Sequence, residues 1–450
     1  MLGGKLLIKV ITYGTYDLLH YGHINLLKRA KALGDFLIVG VTADDFDRVR
    51  GKINVQQTLE ERIAAIRNLE IADQIIVEEY EGQKIDDIKR YEVDIFTVGS
   101  DWKGYFDYLN EYCQVIYLSR TEGISSSRIR TCQSKIRMGM LGYSTFLNKF
   151  YNESKYVNAV NIVGLCTNEK DKLRDTCKSL EFVTEDYNEF LNKIDAVYIH
   201  SHPKHHYFEC KKAILQGKHV LCESPVSMSV TEFEELKNLS IKYKCILMEA
   251  IRTAYITAYL RLLLLLKSGK IGDIVSVDAT CTSLKIFGDS SYSTRWGAFE
   301  AWGPTTLLPV FQMLGTDYSS VDFFSIKDKY LSEYDLFTKV NISYPKATAT
   351  IKVGTGVKSE GELIVSGTKG YAYVPAPWWK TNYFEIRYEN PADNKRYFYQ
   401  VEGEGIRYEL VALANAIRTR KPDYYISEKT TREIANFMEL FNNYYRSINF

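Results

Sequence analysis

Strand-like and helix-like runs alternate twice along this chain, and that alternation restricts each stretch to a parallel, doubly wound sheet. In the first stretch, from Lys5 to about Arg130, residues 6–11, 36–41, 74–77, 93–98 and 114–118 read as strands. Residues 24–33, 59–69 and 84–90 read as the helices between them. Ligands of such sheets gather beyond the carboxyl ends of the strands. Three polar clusters fall at those ends: residues 13–23, 99–102 and 120–127.

The first cluster reads Tyr-Gly-Thr-Tyr-Asp-Leu-Leu-His-Tyr-Gly-His, on a strand-to-helix turn. His20 and His23 flank Gly22 where the helix begins, and the free N–H groups and dipole of a helix start favour a phosphate. Paired imidazoles there suit a nucleoside triphosphate attacked at its α-phosphorus. Adjacency alone carries little, since His205 and His206 are also neighbours. The whole string, correctly placed, points to a functional turn rather than to two incidental histidines at a helix start. In the third cluster Arg120 offers a guanidinium fork to phosphate oxygens. Gly123 allows close backbone approach, and residues 125–127 supply hydroxyl and N–H donors at the start of another helix. Arg48, Arg50 and Lys52 read as a basic loop between the second and third strands. Such charges are commonly a solvated surface; beside a triphosphate, Arg50 and Lys52 would clamp the leaving pyrophosphate.

At 450 residues the chain exceeds one ordinary core, so two or three domains are expected. A net charge of +1 gives no case for bulk attraction to nucleic acid or acidic lipid. The N-terminus shows no signal-peptide pattern, and the aliphatic run 262–266 is far too short to span a bilayer. Eight cysteines without a C-x-x-C pair read as reduced thiols, and a cytoplasmic protein is expected.

With these residues in hand, positions 8–130 resemble the cytidylyltransferases, in particular those that act on glycerol 3-phosphate. The resemblance rests on Gly14-Thr-Tyr-Asp17, His20-Tyr-Gly-His23, the Asp44 region, Gly99-Ser-Asp-Trp102 and Arg120-Thr-Glu-Gly-Ile-Ser-Ser-Ser127. It implies that His20 and His23, with Arg120 and Lys52, steady the phosphates in the transition state. It also implies nucleotide contacts from Tyr13, Gly14, Thr15, Asp17, Gly22, Arg50, Asp101, Thr121, Gly123, Ile124, Ser125 and Ser126. CTP with Mg²⁺ and a small phosphorylated polyol are the implied ligands, and a homodimer the implied assembly. One departure bears on the acceptor: Glu70-Ile-Ala-Asp73 stands where that family carries Arg-Tyr-Val-Asp.

After a polar linker at 131–135, a second alternation begins. Residues 136–141, 159–166, 196–200, 218–222 and 245–248 read as strands of a half about 120 residues long. Beyond Ala250, residues 274–282, 336–344, 348–353 and 383–388 suggest an open, largely antiparallel sheet, closed by helices at 409–418 and 429–445. This region resembles the glucose–fructose oxidoreductase and inositol dehydrogenase (Gfo/Idh/MocA) family. The matching pieces are Asp195-Ala-Val-Tyr-Ile199, His206, Gln216-Gly-Lys-His-Val-Leu-Cys-Glu223, Met248-Glu-Ala250, Lys267-Ser-Gly-Lys-Ile-Gly-Asp-Ile274 and Val365-Ser-Gly-Thr-Lys-Gly370. The domains expected are therefore 1–130, 136–252 and 253–450, two of them Rossmann-like and the last an α+β open sheet.

The resemblance implies NAD(P), yet the site positions have drifted. The dinucleotide turn reads Gly142-Tyr-Ser-Thr-Phe-Leu147, with Ser144 and Leu147 where small residues admit the pyrophosphate. Glu223-Ser224-Pro225 lacks the family's lysine, and Ala301-Trp-Gly-Pro-Thr305 lacks its acid and histidine. Ser224 and Thr305 do not titrate near neutral pH, and losing general acid–base help costs about 10²–10⁴ in rate. The expectation is a domain without oxidoreductase turnover. Two alternatives stand beside it: a working keto-sugar phosphate reductase, with His206 a substitute acid, and a metabolite-sensing or scaffold module. The histidines at 200–206 read as lining of the old cofactor cleft, and no metal site is expected.

Overall fold

The computed structural model describes residues 7–49, 55–80, 82–119, 135–285, 296–327, 334–399, 403–420 and 425–448. The chain folds as two compact units, Met1–Ser134 and Lys135–Phe450.

In the first unit, strands β1 (Lys9–Gly14), β2 (Phe36–Thr42), β3 (Gln74–Glu78), β4 (Ile95–Gly99) and β5 (Gln114–Leu118) form one sheet of order β3-β2-β1-β4-β5. Every pairing in it is parallel. Helices α1 (Tyr21–Lys31), α2 (Asp44–Val49), α3 (Leu59–Arg67) and α4 (Gln83–Tyr91) connect the strands. Neighbouring residues of β1 point to opposite faces. Val10 joins Leu27, Leu37 and Ile66 in one core, and Ile11 joins Ile38, Ile88 and Phe96 in the other. Burial on both faces is why these strands read as unbroken apolar runs. A capping box starts α3: the Thr58 hydroxyl accepts from the Glu61 N–H, and the Glu61 carboxylate accepts from the Thr58 N–H.

The stretch between β2 and β3 departs from the expected basic loop. Residues 44–49 form the helix α2, so Arg48 belongs to an element whose acidic face turns inward, with Asp47 fully buried.

The second unit opens with a six-stranded parallel sheet: β6 (Ile136–Gly142), β7 (Val160–Cys166), β8 (Phe182–Thr184), β9 (Ala196–His200), β10 (His219–Glu223) and β11 (Leu247–Ala250), in the order β11-β10-β9-β6-β7-β8. Helices α5 (Phe146–Ser154), α6 (Pro203–Leu215) and α7 (Val230–Tyr243) belong to this half. A mixed sheet of eight strands follows, between Ser320–Lys327 at one edge and Lys395–Phe398 at the other. All its pairings are antiparallel except Ile274–Ser283 against Thr348–Thr355. Helices α8 (Thr257–Lys267), α9 (Ala298–Leu314), α10 (Ile406–Thr419) and α11 (Glu428–Ser447) complete the unit. The helix α9 is not legible in the sequence, because Pro304 and Pro309 lie inside it and proline removes an internal hydrogen bond. It holds because one face is packed deeply, with Phe299, Leu307, Leu308 and Val310 fully buried. No described helix is long and apolar enough to cross a membrane.

Candidate active site

The central strand β1 delivers its carboxyl end to a tightly folded turn. Tyr16 (φ 55°) and Leu18 (φ 48°) both adopt the left-handed conformation, a strained choice for bulky side chains. The Tyr16 ring folds back over the strand end, so a Cβ at Gly14 would lie 2.9 Å from its Cζ. That contact explains the glycine. His20 then caps α1, its Nδ1 accepting from the Gly22 N–H at 3.1 Å. An accepting Nδ1 puts the imidazole proton on Nε2, which makes that nitrogen a donor. The rings of His20 and His23 stack 3.9 Å apart at 15°, and Tyr16 abuts His23 edge-on at 5.6 Å. The sequence pair is thus a physical pair at a helix start, beside the point where strand order reverses between β1 and β4.

The other residues of the motif mostly brace this turn. The Thr15 hydroxyl donates to Asp47 at 2.7 Å. Asp17 accepts from the Gln56 and Gln57 N–H groups, both at 3.0 Å. Tyr13, a candidate nucleotide contact, turns its ring into the core. Its hydroxyl donates to Asp87 at 2.8 Å, its ring is only 6% exposed in the α4-side core, and Lys84 lies 4.6 Å from the ring centre. Burial, then Asp87, pushes that phenol far above its ordinary range.

Sequence reading missed Arg62. Its guanidinium is fully buried and donates to the Thr15 carbonyl at 2.7 Å, the Thr42 carbonyl at 2.8 Å and the Gln57 carbonyl at 3.1 Å. It also pairs with Asp44, and with Asp47 at 3.6 Å. One cation thereby ties the histidine turn, the end of β2 and the segment before α3 together. The available signal was an arginine on the inward stripe of α3, one turn from Leu59 and Ile66.

Asp101 lies on the short helix Ser100–Trp102 at the carboxyl end of β4, exposed, next to Trp102. The end of β5 is anchored to α1, since Arg29 donates to the Ser119 carbonyl at 2.7 Å and to its hydroxyl at 3.0 Å. Arg50, Lys52, Arg120, Thr121, Gly123, Ile124, Ser125 and Ser126 lie outside the described residues. Glu70 is exposed and stands just before β3, at the amino end of the sheet. Within one copy of this unit it is therefore on the side opposite the histidine turn. The neighbouring Asp73 is a structural clip, accepting from the Leu37 N–H at 2.6 Å and Lys31 at 2.5 Å.

The second unit holds a cavity of about 450 Å³ beyond the carboxyl ends of its parallel strands, lined by residues that include Ser144, Phe146, His200, Glu223, Ser224 and Thr305. Gly142 (φ 145°) is required, because a Cβ would sit 2.2 Å from the His200 carbonyl oxygen. The next positions are spent internally. The Ser144 hydroxyl accepts from the Phe146 N–H at 3.2 Å, the Phe146 ring stacks on His200 at 5.1 Å, and Leu147 is fully buried. Ser224 donates to the buried Glu249, whose carboxyl burial raises to about 7. Tyr198 donates to Glu223, and behind them lies Glu409, fully buried, with no hydrogen-bond partner on either oxygen among the described residues. Burial and then Glu223 hold the Glu409 carboxyl well above the usual range.

His206 corrects another expectation. It is fully buried away from the cavity, with Nδ1 2.7 Å from the Pro225 carbonyl and Nε2 3.2 Å from the Ser201 carbonyl. Burial drives its pKa down to about 4, so it ties α6 to the Pro225 loop as a neutral ring and cannot serve as a substitute acid. His202 accepts from the Lys204 N–H at 3.2 Å, and His205 is exposed. Of these histidines, His200 alone lines the cavity.

Comparison with known proteins matches the two units to different families. Residues 11–132 match the cytidylyltransferase-like family model. Residues 136–251 match the model of the oxidoreductase family, NAD-binding Rossmann fold. The chain is 48% identical over 122 residues to glycerol-3-phosphate cytidylyltransferase of Staphylococcus aureus (strain NCTC 8325 / PS 47), covering 27% of this chain and 92% of that protein. It is 46% identical over 122 residues to the enzyme of the same name from Bacillus subtilis (strain 168), covering 27% and 94%. Among solved structures, an aldose-aldose oxidoreductase from Caulobacter crescentus superposes with a TM-score of 0.62 at 17% identity, covering 70% of this chain and 98% of that one. A 3-ketoreductase from Actinomadura kijaniata gives 0.60 at 17%, covering 68% and 96%. At that identity the likeness establishes the fold. The chain belongs to the cytidylyltransferase-like family through its first domain, and its second unit carries the Rossmann-fold region of the Gfo/Idh/MocA oxidoreductases.

Proposed function

We propose that the first domain transfers CMP from CTP to a polyol phosphate, sn-glycerol 3-phosphate first among them, giving CDP-glycerol and pyrophosphate. The observation that carries this reading is the stacked His20–His23 pair at the start of α1, at the carboxyl end of the central strand. An acceptor phosphate oxygen attacks the α-phosphorus, the bond to the β-phosphate oxygen breaks, and pyrophosphate leaves. The acceptor is already an anion, so neither a base nor a covalent enzyme intermediate is required. The imidazole N–H groups and the helix start bear the charge that builds on the phosphates, and catalysis is positioning plus electrostatics. In this assignment, carried over from the family resemblance, Arg120, Thr121, Gly123, Ile124, Ser125 and Ser126 contact nucleotide and phosphates, with Arg50 and Lys52 on the pyrophosphate.

Mg²⁺ brought in with CTP would supply neutralisation of phosphate charge. The described residues do not fit a protein-held ion: Asp17 and Asp47 are engaged as above, and no described cluster of His, Cys, Asp and Glu is arranged to hold a metal. No step is routed through it.

For the second unit we propose loss of oxidoreductase turnover and retention of a binding cavity. Its residues do not fit a dinucleotide, since Ser144 takes up the Phe146 amide that would face a pyrophosphate. In this reading the domains are 1–130, 136–252 and 253–450 with a linker at 131–135. The division after Ser134 supports the first boundary alone, and the family match over residues 136–251 is consistent with the second. The family resemblance supports a cytoplasmic homodimer feeding a teichoic-acid-like or capsular polymer. The test is product identity. CTP, Mg²⁺ and sn-glycerol 3-phosphate should yield CDP-glycerol, while turnover only with another polyol phosphate would reassign the acceptor.

A further inference from the structure

The cavity of the second unit has a composition that its lost catalytic groups do not explain. Four cationic side chains line it, Lys172, Arg252, Lys285 and Lys380, against two carboxylates, Glu223 and Glu404. Three tryptophans, Trp296, Trp302 and Trp379, form an aromatic wall, with Trp302 and Trp379 5.0 Å apart.

Glu404 is held in this wall by three cations at once. Lys149 lies 2.7 Å from one oxygen, and Lys380 at 2.9 Å and Arg252 at 3.5 Å from the other. The backbone that brings it there is left-handed at three successive residues, Gly403 (φ 67°), Glu404 (φ 49°) and Gly405 (φ 92°), a conformation free for the glycines and strained only for Glu404. A Cβ at Gly405 would lie 2.6 Å from the Arg252 carbonyl oxygen, so the turn is packed against the cation it presents. Burial raises the Glu404 carboxyl, yet Lys149 and Lys380 leave it net below its usual value, so it is an anion at neutral pH.

We propose that Arg252 and Lys380 on the cavity wall, backed by Lys149 on the other oxygen of Glu404, form an anion subsite in which Glu404 stands in for the phosphate of a phosphorylated polyol whose carbon chain lies against Trp302 and Trp379. Two cations on the wall and a third behind Glu404 match the several oxygens of a phosphate ester better than one carboxylate. Flat indole faces cover the C–H surface of a polyol. A volume of about 450 Å³ is ample for such a molecule. The inference rests on reading the second unit as a binding module. It gives that unit the same ligand class as the acceptor of the first.

The test is a tryptophan-fluorescence titration of the full chain with ribitol 5-phosphate, with ribitol and inorganic phosphate as controls, on wild type, Lys380→Ala and Glu404→Ala. Lys380 is partly exposed, so its variant should fold normally. The expected result is saturable binding of ribitol 5-phosphate, weakened about tenfold in Lys380→Ala and tightened about tenfold in Glu404→Ala, with ribitol far weaker. Binding unchanged by either variant would belong to the first unit and overturn the proposal. So would absence of binding in wild type and Glu404→Ala, or a response confined to NADPH. NADPH oxidation with ketose phosphates would overturn the non-turnover reading separately, leaving the subsite to the titration.

Discussion

The two parallel sheets of this protein have the same topology, since β3-β2-β1-β4-β5 and β8-β7-β6-β9-β10-β11 follow one winding rule. Each presents a strand-to-helix turn at the end of its first strand, and the two turns treat their amides differently. In the first, the side chain that caps the helix is itself an imidazole, so capping Gly22 leaves the ring proton on Nε2 as a donor. In the second, Ser144 caps the Phe146 amide and the Phe146 ring lies on His200, so the turn satisfies itself. Topology sets where a ligand can gather, and the polar groups left pointing outward set what chemistry is offered there.

Four substitutions sharpen or break that contrast. Arg62→Met leaves Asp44 and Asp47 without their buried cation and should cost about 3–5 kcal/mol. Denaturation followed separately in each unit should show the loss in the first alone; an equal shift in both would refute the local role of Arg62. His20→Asn keeps a good helix cap. Pyrophosphate release should nonetheless fall about 10²–10³ with little change in melting, and a retained rate would reduce His20 to a cap.

Glu249→Gln probes the buried carboxyl behind Ser224 through pH. Glu249 titrates at about 7 when folded against an ordinary 4.5, so the folded state holds the proton more tightly. The stability this gives is complete below about pH 4.5 and is lost as pH rises through about 7. The variant should therefore gain on wild type by about 3 kcal/mol above pH 7 and by nothing in acid. A pH-independent difference would mean that folding leaves the Glu249 carboxyl at its ordinary value. Smallest is Tyr13→Phe, which removes the bond to Asp87. It should cost about 1 kcal/mol of stability in the first unit and leave the transfer rate unchanged; a large rate loss would return Tyr13 to the site.

Much of this was legible in the sequence. Strands β2 to β5 lie within a residue or two of their apolar runs, because both faces of the sheet are buried and the pattern is unbroken. The histidine turn was legible because its residues are adjacent in the chain. Arg62 was not, since its five partners come from three separate segments. The helix α9 was hidden by its two prolines. The anion cluster around Glu404 joins Lys149, Arg252 and Lys380 from positions more than a hundred residues apart, which no local pattern reports. His206 misled because sequence shows a histidine near a cleft but not the two carbonyls that seal it.

The most direct test places both sites in one assay: full-length protein with CTP, Mg²⁺ and sn-glycerol 3-phosphate followed by pyrophosphate release, and the same sample with NAD(P)H and ketose phosphates followed by absorbance. The account predicts rapid, CTP-specific pyrophosphate release and no oxidation of the reduced dinucleotide. Nucleotide oxidation, with transfer appearing only once the ketose phosphate has been reduced, would contradict it.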